Sequence, residues 1–85
     1  MAIHVLYFAW LRERAGRTEE TVEPPAEVRT VGELMGWLAQ RNEAYAHAFE
    51  TPRTIRAAID HTHVRPDTAI AGAGEIAFFP PMTGG

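Results

Sequence analysis

A few short stretches of the chain carry side chains whose type and spacing suit chemistry. His61-x-His63 sets two imidazoles on one face if the segment is a strand, as in some metal sites. No third ligand lies nearby in the sequence, so exposed strand histidines are the plainer reading and no metal site is assigned. Glu19-Glu20 offers paired carboxylates, but on a segment that reads as an edge strand, where solvated charge discourages edge-to-edge association. Gly72-Ala73-Gly74 reads as a turn entering a strand rather than a phosphate cradle. No Ser-His-Asp order stands out. Cysteine is absent, which excludes disulfides, a cysteine nucleophile and thiolate zinc sites, and fits a reducing compartment. What remains is the end of the sequence, "FFPPMTGG", Phe78 to Gly85.

That ending joins the stiffest residues to the most pliant. Pro80 and Pro81 cannot donate to a sheet and fix φ at about −65° twice, giving a stiff launcher that aims the chain away from the body. Met82 and Thr83 are small handholds. Gly84 and Gly85 have no side chains, so a narrow channel would admit them and bring the terminal carboxylate to a reactive centre. The expected functional atom is therefore the carboxyl carbon of Gly85. The chain divides into a folded domain over residues 1–80 and a flexible tail over 81–85.

The elements that must position this tail are legible as alternation and periodicity. "IHVLYFAW", residues 3–10, reads as a strand with Ile3, Val5 and Tyr7 toward a core and His4, Leu6 and Phe8 on the other face. Leu11–Ala15 read as a turn or helical loop closed by Gly16. Residues 18–23 read as a second strand, paired with the first and ended by Pro24-Pro25. Thr30 and Glu33 form a capping box, and Val31, Leu34, Met35 and Leu38 make one helical stripe. Gly32 and Gly36 lie off that stripe and weaken the helix. Tyr45, Ala48 and Phe49 mark a second short helical stretch, and Trp10, Trp37, Tyr45 and Phe49 read as core aromatics. Residues 55–60 alternate with Ile55, Ala57 and Ile59 inward, 61–64 form a turn and short strand, and 75–79 form the last strand. The order β-β-α-β-β, with an extra short helical segment, gives an α+β fold with the first and last strands as parallel central neighbours. Ile76 and Phe78 then face the core, while Ala77 and Phe79 join Leu6 and Phe8 in an apolar patch opposite it, unless a loop or the second helix covers it.

The stretches "VLYFAWLRERAG", "TVGEL" and "EIAFFPPMTGG" resemble the small subunits of molybdopterin synthase, in the sulfur-carrier branch of the ubiquitin-like superfamily. The turn at Ala71–Gly74 and the segment with His61 and His63 depart from the family's pattern. The resemblance implies a ubiquitin-like β-grasp, a mixed sheet packed on one main helix. It also implies that an E1-like adenylyltransferase uses ATP to adenylate Gly85, that a sulfur donor converts it to a thiocarboxylate, and that the sulfur goes to cyclic pyranopterin monophosphate to form the molybdopterin dithiolene. On this reading the chain is the sulfur-donating subunit of an enzyme. It binds no cofactor itself, and acid and base groups lie on a large subunit, with which it forms a heterotetramer. Gly84, Thr83, Met82, Pro81 and Pro80 position the tail; Phe79, Phe8 and Leu6 anchor the partner.

Composition bounds the alternatives. At 85 residues the chain builds one compact core. A net charge of −3 argues against a nucleic-acid footprint. No apolar run is long enough for a membrane helix, and Met1-Ala2-Ile3-His4 lacks a basic signal region, so the expected location is cytoplasmic. All eight basic residues are arginine, which leaves the N-terminus as the chain's primary amine and bars self-chaining through side-chain isopeptide bonds. Three rivals stay open: a sulfur carrier for thiamine, a tRNA base or an amino acid; a protein modifier joined through Gly85; and an interaction module whose tail has no chemistry.

Overall fold

The apolar run from Ile3 to Trp10 stops being a strand at Tyr7. The computed structural model describes residues 2–81, with strand β1 at Ile3–Tyr7 and helix α1 at Ala9–Ala15. Ala9 adopts φ 54°, turning the chain after Phe8, whose carbonyl accepts from the amides of Leu11 and Arg12. Trp10 therefore sits on α1 rather than β1; an unbroken apolar run has no period to mark such a boundary. α1 buries Leu11 and Ala15 and ends on Gly16, whose φ of 80° lets its amide bond back to the Arg12 carbonyl.

The chain continues through β2 (Glu19–Val22), α2 (Val31–Ala39), α3 (Glu43–Ala48), a 3₁₀ turn (Pro52–Thr54), β3 (Arg56–Ile59), β4 (Thr62–Val64) and β5 (Glu75–Phe79). The sheet order is β2-β1-β5-β3-β4. β1 and β5 pair in parallel at the centre, and the outer pairs are antiparallel. This is the expected ubiquitin-like β-grasp, with the short strand expected within 61–64 present as β4 and the turn or helical loop expected at Leu11–Ala15 found to be a helix, α1.

α2 begins as its capping box requires. Thr30 Oγ1 accepts from the Glu33 amide at 3.1 Å, and Glu33 Oε1 accepts from the Thr30 amide at 3.2 Å. Val31, Leu34, Met35 and Leu38 are buried as one stripe. Its two glycines differ. The Gly32 amide donates to the Pro66 carbonyl at 2.8 Å, and a Cβ there would meet that oxygen at 3.3 Å. A Cβ on Gly36 would meet nothing within 4 Å.

The core lies on one face of the sheet. Ile3, Val5 and Tyr7 of β1 and Ile76 and Phe78 of β5 are fully buried there with Leu34 and Leu38. Tyr45 and Phe49 join them, the Phe49 ring standing edge-on to Phe78 at 5.3 Å between centroids. Trp10 and Trp37 are only partly buried and pack at the margin, the Arg14 guanidinium lying 4.6 Å from the Trp10 ring centroid. Ile55 and Ala57 are buried as expected, and Ile59 is partly buried against the core.

Glu20 is not the solvated edge charge that the sequence suggests. Its side chain is only 6% exposed. Oε2 accepts from the hydroxyls of Tyr7 at 2.7 Å and Tyr45 at 2.6 Å, while Oε1 accepts from Arg17 at 3.2 Å and Arg41 at 2.9 Å. One carboxylate thus ties β1, β2, α3 and the end of α2 together. Burial opposes its ionisation, but the hydrogen bonds from Tyr45, Tyr7 and Arg41, with the Arg41 charge, outweigh it and hold the carboxyl below the usual glutamate range. Burial first, and the bond to Glu20 second, push both tyrosine hydroxyls upward. Glu19, next door, stays exposed and pairs with His4 at 2.6 Å.

Two expectations follow for stability. Because the folded carboxyl lies below its unfolded value, Glu20 stabilises the fold above the ordinary glutamate range, and that contribution disappears as pH falls through that range and below it. Glu20→Gln should cost about 1–3 kcal/mol at neutral pH in urea unfolding and flatten the acid limb of the stability profile; a variant as stable as wild type would show the network to be incidental. Gly36→Ala should raise stability by up to about 1 kcal/mol, whereas Gly32→Ala should give no such gain because its Cβ presses on the Pro66 carbonyl.

Candidate functional site: the outer sheet face and the tail exit

The register that buries Val5, Tyr7, Ile76 and Phe78 presents their neighbours on the opposite face. Leu6 stands beside Ala77, Ala77 beside Ala58, and Ala58 beside His63, one row across β1, β5, β3 and β4. The two alanines make a low floor between taller walls. Leu6, Phe8, Phe79, His61, His63 and Glu75 surround that floor and enclose a depression of about 340 Å³. Phe8 is 45% exposed, the large apolar side chain most open among the described residues. The second helical stretch does not cover this face: α3 lies on the core side, where Tyr45 packs on Tyr7 at 6.2 Å between ring centroids.

Phe8 and Phe79 are held by backbone as much as by packing. The Phe8 amide donates to the Phe78 carbonyl at 3.1 Å, which fixes the end of β1 against the end of β5. Phe79 closes β5 opposite Arg56, and its ring lies 5.1 Å from that of His63, tilted by 51°. Pro80 and Pro81 follow, half-buried and outside the ladder, so the chain leaves the sheet at the aromatic end of the depression. The structure thus brings together Leu6, Phe8, Phe79, Pro80 and Pro81. Met82, Thr83, Gly84 and Gly85 lie outside the described residues.

The histidines part company. His61 occupies the β3–β4 turn with φ 75° and an 88% exposed side chain, its Nε2 3.8 Å from Glu75 Oε2. His63 stacks on Phe79 instead. Among the described residues, no three His, Asp or Glu side chains are grouped to hold a metal ion. Nor is there a nucleophile with a base beside it on this face. Glu20, the carboxylate held below its usual range, is spent on tyrosines and arginines of the fold. A larger cleft of about 450 Å³ lies elsewhere, among Pro24, Pro25, Val28, Arg29, Ile70 and Ala71, and gathers no pair of reactive groups. What the face does offer is an open apolar patch around Phe8 and Phe79.

Sequence reasoning missed Ala58 and His63 as parts of this face. The signal was present in "AAIDHTHV": a two-residue turn at Asp60-His61 sets Ala58 opposite His63. No described helix is long and apolar enough to cross a membrane.

With this geometry in place, comparison with known proteins is direct. Residues 5–85 match the model of the ThiS family. The molybdopterin synthase sulfur carrier subunit of Escherichia coli (strain K12) is 37% identical over 83 residues, covering 98% of this chain and 99% of that protein. The protein of the same name from Chlamydomonas reinhardtii is 36% identical over 87 residues, with both chains fully covered. Among solved structures, SAMP1 from Haloferax volcanii superposes with a TM-score of 0.73 at 26% identity over the whole of both chains. A second structure, of H. volcanii small archaeal modifier protein 1, gives 0.72 at 24% identity, covering 95% of this chain and 98% of that one. A match that runs the length of both sequences, over a β-grasp whose last strand carries an apolar face into a proline exit, places the chain in the ThiS family, among the relatives of molybdopterin synthase sulfur carrier subunits.

Proposed function

We propose that this chain is the sulfur-carrier subunit of a molybdopterin synthase and that its sulfur rides on Gly85. The observation that carries the reading is the continuity of β5: the strand that sets Phe79 in the docking face is the one that runs out through Pro80 and Pro81 toward the C-terminal glycines. Full-length relatives named as sulfur carrier subunits support the same role.

The steps balance as follows. The Gly85 carboxylate attacks the α-phosphorus of ATP on an E1-like adenylyltransferase, releasing pyrophosphate and forming a mixed anhydride. Hydrosulfide released by a sulfur donor then attacks the acyl carbon; a C–S bond forms, the C–O bond to AMP breaks, AMP leaves, and loss of a proton gives the thiocarboxylate. The charged chain docks on the large subunit, Phe79, Phe8 and Leu6 filling an apolar seat while Met82, Thr83 and Gly84 thread the channel. There the thiocarboxylate sulfur bonds to a carbon of cyclic pyranopterin monophosphate as a C–O bond of that carbon breaks and its oxygen departs, and water then cleaves the acyl–sulfur bond, restoring the Gly85 carboxylate and leaving the sulfur on the pterin. Two such deliveries build the dithiolene. Holding the thiocarboxylate against the pterin turns an encounter between two dilute reactants into an intramolecular one. Two copies of this chain on a dimer of large subunits make the heterotetramer.

A second reading has its own support: the H. volcanii neighbour carries the name of a protein modifier. The activated Gly85 would then acylate an amine on a target, and conjugates heavier than the carrier would form.

Intact-mass measurement after incubation with the activating enzyme, ATP and a sulfur source separates the two. Exchange of one oxygen for sulfur at Gly85 is expected; conjugates would favour the modifier, and an unchanged mass with an active enzyme would remove the tail chemistry. Phe79→Ala should weaken binding to the large subunit at least about tenfold while leaving the fold intact, as loss of a central aromatic anchor does. Unaltered affinity would take Phe79 out of the interface. Deleting Gly85 should abolish sulfur transfer with docking retained.

A further inference from the structure

The two ends of the docking face differ in charge. At the end where β5 begins, His4 stands beside Glu75, and the Asp60 amide donates to the Glu75 carbonyl. At the other end Arg56 stands opposite Phe79, and the β3–β4 register, with Ala57 opposite Val64, brings Arg65 alongside Arg56. Both arginines also line a cleft of about 210 Å³ floored by Val31, Met35, Ile55 and Val64 at the β4 edge. The tail leaves beside them.

Three of the eight arginines are in ion pairs among the described residues, and of the other five Arg56 and Arg65 lie at the tail exit. Arg14 pairs with Glu50, and Arg17 and Arg41 pair with Glu20. Arg56 and Arg65 are exposed and, among the described residues, have no carboxylate within 4.0 Å and no acceptor for a side-chain hydrogen bond. Two adjacent unpaired guanidiniums in a chain of net charge −3 create a local field opposite in sign to the molecule's overall charge. Any protein that covers Phe79 also covers Arg56, since the two are cross-strand neighbours, and leaving a guanidinium desolvated without an acceptor is costly.

We propose that Arg56 and Arg65 form a cationic lip at the tail exit, and that the partner surfaces bordering the tail channel carry carboxylates that meet it. The inference rests on the sulfur-carrier reading, which supplies the partners. The apolar floor of the cleft suits the methylene stem of a glutamate, and the guanidiniums suit its carboxylate in the bidentate geometry that arginine favours. Complementary charge at this place acts chiefly on the association rate and on the orientation of approach, so that the tail meets its channel before the aromatic anchors seat.

The test is association of the purified large subunit, and separately of the activating enzyme, with wild-type chain, Arg56→Glu/Arg65→Glu, Arg56→Gln/Arg65→Gln and Phe79→Ala, each checked by circular dichroism and measured at low and high ionic strength. Wild-type association should slow as salt rises. The glutamate pair should bind at least about tenfold more weakly at low salt, with its salt dependence flattened or inverted, and the glutamine pair should fall between. Phe79→Ala should weaken binding at both ionic strengths and keep the wild-type salt dependence. Wild-type affinity and salt dependence in the folded glutamate or glutamine pair, toward both partners, would overturn the proposal. Failure of the wild type itself to bind either partner would overturn the sulfur-carrier reading and the lip together, a result distinct from a change confined to the arginine variants.

Discussion

The parallel pairing of β1 with β5 is the constraint on which the rest of the molecule depends. Two strands from opposite ends of the sequence can lie side by side in parallel only if the intervening chain crosses over, and here that crossover supplies the helices that cover one face. The pairing buries Val5 beside Ile76 and Tyr7 beside Phe78, and with them the centre of the core. It equally obliges Leu6 and Ala77 to share the other face, and it stops β1 and β5 at the same end of the sheet. Phe8 and Phe79 meet there for no reason other than register. The proposed docking face is thus the other side of the same strand pair that stabilises the fold.

The hairpin of β1 and β2 needs a further tie, because β2 is an edge strand of four residues. Glu20 provides it. An ionised carboxylate with little exposure is costly unless its oxygens are met, and both are met twice, by two hydroxyls and two guanidiniums. The partners come from β1, the residues before β2, the end of α2 and α3, so the network holds elements that apolar packing alone orients loosely. Arg56 and Arg65 stand outside this network, exposed at the edge where the chain leaves the sheet.

Much of this was legible in the sequence because it depended on neighbours in the sequence. The Thr30–Glu33 box, the Val31–Leu38 stripe and the alternation of Ile76, Ala77, Phe78 and Phe79 are all local patterns with a fixed period, and each folds as read. The end of β1 was not legible: Phe8, Ala9 and Trp10 are as apolar as the residues before them, and only the turn at Ala9 shows that the strand has ended. The role of Glu20 was hidden for a different reason. Its partners Arg41 and Tyr45 lie 21 and 25 residues away, and a reading of β2 alone sees only two adjacent acids on an edge. His63 was hidden by its type, since a histidine does not advertise that its ring will lie on a phenylalanine. The tail exit was legible in outline, because prolines constrain the chain whatever surrounds them.

Phe78 and Phe79 are chemically identical, adjacent, and assigned to opposite sides of the sheet. A slip of one residue in β5 would exchange them at little cost in side-chain volume, but it would also turn Ile76 out of the core and Ala77 in. The fully buried pair Ile76 and Phe78 therefore sets a gauge: it indexes the last strand to a single notch. Pro80 and Pro81, which follow Phe79, inherit that setting. One notch is about 3.3 Å, so the hydrophobic interior meters how far along the sheet Pro80 and Pro81 emerge.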